Sequence, residues 1–383
     1  MKMLLPDGSE YQGDVEQGIP NGLGKITFSD GTTIEGMFKS GELEGKGIYI
    51  WPDGSKYEGD FVSGKFNGRG ILQWPDGAKY EGPFVDDMEN GKGFQTFSDG
   101  STYEGEFLNG VKEGKGTYSY ADGSVYKGDF ANNRRNGKGI YIEADGSSYN
   151  CEFVDNEPNG KGIYIDIEGH RYEGDFVNGK YNGKGALYYP NGLKYEGDFV
   201  DDIQNGIGIY TFPNGHKYEG NVVNGTFEGE GTYTFPDGTG YKGEFFNDEP
   251  NGRGKYTYSG GSTCEGDFVN GEPNGKGKFV YKNGGTYEGD LVNGRPNGNG
   301  VQNDVNGHKY VGHFADGEPD GKGKLEIKNG DTYEGIFSNG LKTGEFVVED
   351  IHGRKYYVEF DDDEPISEPQ IYIDPEGPWK DFK

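Results

Sequence analysis

The sequence has 383 residues, 31% of them hydrophobic, and carries 73 Gly and 17 Pro, so an ordinary globular core is under-supplied. Its 29 Tyr, 24 Phe and 3 Trp exclude a disordered chain, which is poor in such rings. A net charge of −29 excludes nucleic acid as a partner and disfavours direct binding to an anionic membrane, both of which call for basic patches.

No run of apolar residues is long enough to span a bilayer, and the start MKMLLPDGSE lacks the charge order of a signal peptide, so a soluble, cytoplasmic chain is expected. A single phrase then returns at Tyr11, Ile34, Tyr57, Tyr80, Tyr103, Tyr126, Tyr149, Tyr172, Tyr195, Tyr218, Tyr241, Cys264, Tyr287, Tyr310, Tyr333 and Tyr356, always 23 residues on. Counted from that residue, position 1 is Tyr in 14 of 16 copies, position 3 Gly in 14 and position 5 Phe in 13.

Tyr57-Glu58-Gly59-Asp60-Phe61 alternates apolar and acidic side chains, which predicts a strand with one apolar face. The stretch from position 14 to 18 alternates likewise, so each repeat is a hairpin. The link Trp74-Pro75-Asp76-Gly77-Ala78 is a turn in which Pro presets the first residue and Gly takes the left-handed conformation. Gly54, Gly77, Gly192 and Gly215 are assigned this structural role. A two-residue loop would throw Tyr80 onto the wrong face, whereas a three-residue loop pairs Leu72 with Tyr80 and keeps the aromatics together. The other connection, as in Asn178-Gly179-Lys180-Tyr181-Asn182-Gly183, reads as a longer turn.

The fold expected is all-β: an elongated solenoid of about sixteen hairpin repeats forming one twisted antiparallel sheet with an aromatic trough, spanning on the order of 150 Å. Residues 1–360 make the repeat array, its last two copies degenerate and capping. Lys or Arg at position 13 (Lys46, Arg69, Lys92) opposes the acids at positions 2 and 4 and is expected to neutralise them in ladders.

Trp51 and Trp74 hold position 18 in adjacent repeats beside Phe28 and Phe97, and a second stripe runs through Tyr189, Phe212, Phe235, Tyr258 and Tyr281. Core stacking and an exposed interaction platform are both open to these rings; the second makes Trp51, Trp74, Tyr189, Phe212 and Phe235 candidate partner-binding residues. Glu143, Asp166, Asp304 and Asp350 interrupt the same column, either as a local loss of stacking or as polar contacts to a partner.

Chemistry is sparse. No Gly-Lys is followed by Ser or Thr, so the phosphate-binding loop is missing. Asp155, Glu157, Asn159, Gly160 and Asp166 reproduce calcium-loop spacing, but their flanks are strands where helices are needed, so no metal is expected. His170, His216 and His308 read as solvated turn residues. Cys151 and Cys264, nearly five repeats apart, cannot bond to each other. No catalytic residue and no cofactor is assigned, because a one-sheet solenoid supplies few pockets to perturb a carboxylate.

After residue 360 the period stops: 361–383 is an acidic, Pro-rich linker ending in an aromatic hook with Trp379, expected to cover the last sheet edge or dock on a partner.

Tyr-Glu-Gly-Asp-Phe, then Asn-Gly-x-x-Asn-Gly-Lys-Gly, an aromatic strand and a Pro-Asp-Gly-type turn, whole in Tyr172 to Lys194, resembles the MORN (membrane occupation and recognition nexus) repeat. The resemblance implies a trough of stacked hairpins and an architectural, protein-binding role, as in components of cilia, radial spoke heads and cytoskeletons. It points to a non-enzymatic scaffold with cytoskeletal or axonemal protein partners, as an elongated monomer or an end-to-end homodimer. The alternatives are a membrane-to-cytoskeleton tether reading phosphoinositides and a regulatory subunit of an enzyme on another chain.

Overall fold

The computed structural model describes residues 1–372; Trp379 lies outside them. All regular structure among these residues is β, in 35 strands, each antiparallel to the strands it bonds in an open sheet. Two compact units are formed, Met1–Pro190 with Phe199–Asp202, and Asn191–Asp198 with Ile203 onward.

The strands Lys56–Val62, Lys65–Gln73 and Lys79–Val85 show the rule of the repeat. Leu72 pairs with Tyr80, as the parity of the three-residue loop requires. The Trp74 N–H donates to the Ala78 carbonyl at 3.0 Å, and the Gly77 N–H to the Trp74 carbonyl at 3.0 Å. Asp76 Oδ1 accepts the Ala78 N–H, and Gly77 sits at φ +91°, where a side chain is strained.

The second connection is shorter than its text suggests. Val177 pairs with Lys180 across Asn178 and Gly179, at φ +50° and +80°, which is a two-residue type I′ turn. Lys180 through Gly183 are therefore strand, and a bulge after Gly174 resets the register. This correction brings position 10 onto the aromatic face. Phe66, Tyr181 and Phe227 stack on Tyr57, Tyr172 and Tyr218 at 3.8, 3.7 and 3.7 Å between centroids.

Position-1 tyrosines form the core. Tyr57 is fully buried and meets Phe61 of its own repeat and Phe84 of the next edge-on, at 5.2 and 5.0 Å. Its ring lies across Gly59 and Gly70, where any Cβ would come within about 2.4 Å of ring atoms. Tyr149, whose position-3 partner is Cys151, is only partly buried and leans on Tyr164 at 4.4 Å.

Residues after 360 are not a free linker in their described part. Asp361 ends the strand Lys355–Asp361, Pro365 pairs with Phe360, and Gln370 and Ile371 pair with Tyr357 and Tyr356. Tyr372 packs on Tyr357 at 4.9 Å. The segment folds back because Tyr356, Tyr357 and Phe360 offer both ladder bonds and ring surface.

Candidate functional site

On one face of the sheet the rings fill the space. Side chains at positions 2, 13 and 15 point to the other face, because they alternate with the glycines at 3 and 14 whose Cβ direction is toward the rings. In the first unit this second face carries a groove of about 1850 Å³, running across the strands from Gln12 to Asn150. Its floor is a column of paired glycines, Gly59 with Gly70, Gly70 with Gly82 and Gly93 with Gly105. The floor is bare backbone because the glycines that make room for tyrosine on one side leave no side chain on the other.

Two rows flank the floor. In one, acids and apolar side chains alternate strand by strand, Ile48 opposite Glu58, Ile71 opposite Glu81, Phe94 opposite Glu104. Phe94 is 43% exposed, high for so large a ring. In the other row the position-13 cations face position-4 acids. Lys46 binds Asp60 at 2.8 Å and holds its carboxyl below the usual range by that hydrogen bond; Lys115 binds Asp129 at 2.5 Å. Arg69 instead faces Pro83. Arg69 and Lys92 have no ion-pair partner among the described residues.

The second unit has its own groove of about 1310 Å³ on the same kind of face. There Arg253, Lys255 and Lys278 pair with Asp267, Glu265 and Glu288 at 3.6 to 3.9 Å, and Lys276 with Asp290. These cations spend themselves within the sheet.

The rings singled out from sequence sit at the margin of the other face, all half-buried. Trp51 packs on Tyr49 at 4.5 Å and edge-on to Phe66 at 5.7 Å. Trp74 has no ring partner among the described residues, because its neighbours at position 16 are Leu72 and Gln95; the stripe is interrupted there. In the first unit Tyr189 meets the His170 ring at 5.4 Å. In the second, Phe212 meets Tyr233 at 6.1 Å and Phe235 meets Tyr233 at 5.3 Å. Gly54, Gly192 and Gly215 take positive φ as Gly77 does.

Two expectations change. His170 and His216 are not simply solvated: His170 Nδ1 lies 2.7 Å from Asp166 Oδ2, and His216 Nδ1 lies 2.8 Å from the Tyr233 hydroxyl and packs on Phe235. For Asp166, Asp304 and Asp350 the structure adds a role to the two left open by the sequence. Each accepts the N–H of the position-22 residue, His170, His308 or Arg354, and so closes its own turn. Asp166, Glu168 and His170 bring ligand-type atoms within 4.8 Å, but both Asp166 oxygens already serve His170.

Sequence reasoning missed position 10, where Glu89, Lys112 and Arg135 replace the usual rings or Pro. Lys112 Nζ lies 4.9 Å from the Phe97 centroid, and the Arg135 guanidinium 4.3 Å from that of Tyr141. The Asn-Gly type I′ signal was the available clue, since it would have placed position 10 opposite position 5.

The MORN repeat model matches 15 segments, beginning with residues 11–33 and ending with 333–345, so that it spans nearly the whole array. The chain belongs to the MORN repeat family. No curated protein matches this MORN chain. Among solved structures it is similar to the SAS-4 (dCPAP) TCP domain of Drosophila melanogaster in complex with a proline-rich motif of Ana2 (dSTIL), at 16% identity over 40% of this chain and 85% of that one, with a TM-score of 0.27. The wild-type TCP10 domain of Danio rerio CPAP follows at 13% identity, covering 63% and 96%, with a TM-score of 0.22. A virginiamycin B lyase from Staphylococcus aureus is 12% identical over 79% and 89%, with a TM-score of 0.13. Scores this low carry no argument about activity or partners. No helix in the described residues is long and apolar enough to cross a membrane.

Proposed function

We propose that this MORN chain is a non-enzymatic scaffold that holds segments of partner proteins in the glycine-floored groove of its first unit. The observation that supports this is the groove itself: about 1850 Å³ of continuous space with bare backbone below, apolar side chains and unspent cations along its walls. An extended segment fits such a floor, because a bulky helix would meet both side-chain rows before reaching it. The family resemblance supports a place in a ciliary, axonemal or related cytoskeletal assembly of the cytoplasm.

The phosphoinositide-reading tether gains no support from the second groove, where four of the five lining cations sit against a carboxylate and Lys242 alone, among the described residues, has no ion-pair partner. The competing surface is the ring margin at Trp51, Trp74, Tyr189, Phe212 and Phe235.

Affinity capture from native cells separates the two faces. Full-length wild type is compared with Glu58→Lys/Glu81→Lys on the groove and Trp51→Ala/Trp74→Ala on the ring margin, with circular dichroism confirming the fold of each. Loss of partners with the groove pair alone supports the groove. Loss with the tryptophan pair alone moves the site to the ring face, and recovery of a phospholipid-dependent complex would favour the tether.

A further inference from the structure

The pitch of the groove selects a backbone conformation. Successive acids in its wall, Glu35, Glu58, Glu81 and Glu104, stand two strands apart, each strand bonded to the next. At ~4.8 Å per strand that is a repeat of about 9.6 Å. A polyproline-II chain rises ~3.1 Å per residue and returns the same edge every third residue, a repeat of about 9.3 Å. An extended β chain returns the same edge every second residue, at about 6.7 Å, and loses register within one repeat. The α-helix offers no edge at this spacing that reaches a floor between two side-chain rows.

We infer that the groove takes a polyproline-II segment of a partner protein bearing a basic residue at every third position. This rests on the scaffold reading above. Basic side chains of the segment face the acids, which stay largely exposed, Glu35 at 61%, Glu58 at 57% and Glu81 at 58%, although each also holds a lysine of its own sheet, Lys25 at 3.6 Å, Lys56 at 2.6 Å and Lys79 at 3.0 Å; such exposed pairs contribute little and can exchange for the segment's cations. The side chains between them lie over Ile48, Ile71 and Phe94. Polyproline-II carbonyls make no internal hydrogen bonds. They are the acceptors for Arg69 and Lys92, the two mid-groove cations without an ion-pair partner among the described residues. Pro83 replaces the acid opposite Arg69, which is why that guanidinium is unspent. From Glu35 to Glu104 the wall spans about 29 Å, and ten polyproline-II residues span about 28 Å.

Charge alone would draw any cationic peptide to a chain of net charge −29, so the test must vary spacing at constant composition. The full chain is titrated, at about 150 mM salt, into fluorescein-labelled Arg-Pro-Pro repeated four times and into a shuffled peptide of identical composition. The ordered peptide should bind at least about tenfold more tightly, and Glu58→Lys/Glu81→Lys should erase that preference while Trp51→Ala/Trp74→Ala keeps it. Equal affinities, a preference that survives the groove variant, or binding that vanishes for both peptides at this salt each overturn the inference. If native partners are lost with the groove variant while the ordered peptide shows no preference, the scaffold stands and the polyproline-II segment falls. If neither partners nor peptide respond to the groove variant, both fall.

Discussion

The hydroxyl of Tyr57 donates to the backbone carbonyl of Asp60 at 2.9 Å, and it reaches that carbonyl only by lying flat over Gly59 and Gly70. The same bond joins Tyr103 to Glu106 at 3.0 Å, Tyr172 to Asp175 at 2.8 Å and Tyr218 to Asn221 at 2.7 Å. The acceptor is the carbonyl at the bulge, which the ladder leaves unpaired. One tyrosine thus fills the core and satisfies the bulge.

Gly70→Ala should therefore cost more than Gly77→Ala. The added Cβ at 70 meets the buried Tyr57 ring at 2.4 Å, so the ring must leave and its hydrogen bond with it, about 3 kcal/mol by analogy with overpacked cores. At 77 nothing lies within 4 Å, and only the positive φ is strained, on the order of 1 kcal/mol. Urea denaturation of the two variants should rank them in that order; the reverse order would remove the ring from its assigned place.

Trp51→Ala should destabilise by about 2 to 3 kcal/mol, since it strips contacts from Tyr49 and Phe66, whereas Trp74→Ala should cost less, on the order of 1 kcal/mol. Local hydrogen exchange around residues 48–66 and 72–80 reads the difference. Equal losses would mean that Trp74 is packed as Trp51 is.

Alkaline pH should unfold the array. Burial, with the charge of Glu106, pushes the Tyr103 hydroxyl up to about 12, and burial with Glu244 does the same at Tyr241. The folded value lies above the unfolded one near 10, so the stability these rings contribute is whole below pH 10 and is lost as pH rises toward 12. Tyrosinate absorbance should then appear together with the loss of β-sheet circular dichroism. Free titration near pH 10 in an intact sheet would contradict the burial.

Glu89 is the opposite case, an acid at a core position. Burial raises its pKa above the usual carboxylate value, so the folded state favours the protonated form and stability falls as pH rises through that value. Glu89→Gln should remove this cost, gain on the order of 1 kcal/mol at pH 7 and flatten the stability profile between pH 4 and 7. A loss of stability at pH 7 would show that the carboxylate makes a needed contact.

Neither thiol should react in the folded protein. Burial pushes Cys151 up to about 11 and Cys264 up to about 12. A thiol reagent at pH 8 should find both only after denaturation; rapid labelling of the native chain would place them nearer solvent.

The repeat, its hairpins and one of the two turns are legible in the residues alone. Period-two alternation around Tyr57 and Phe61 names the strand, and parity forces the three-residue loop that pairs Leu72 with Tyr80, because any other loop splits the aromatics between faces. Gly at positions 3 and 14 likewise reads as room for rings. The other turn and the open face emerge only once the strands pack. Asn178-Gly179 sits in polar, glycine-rich text that looks like loop, yet both residues take positive φ and the following residues are strand, so Phe66 and Tyr181 join the core. Once those rings pack, the aromatic face is filled, and the free space falls on the side where paired glycines leave the backbone bare, between Glu58 and Arg69. Periodicity tells which residues share a face. Which face stays open depends on how side chains from different strands fill space together, and that is a property of packing in three dimensions.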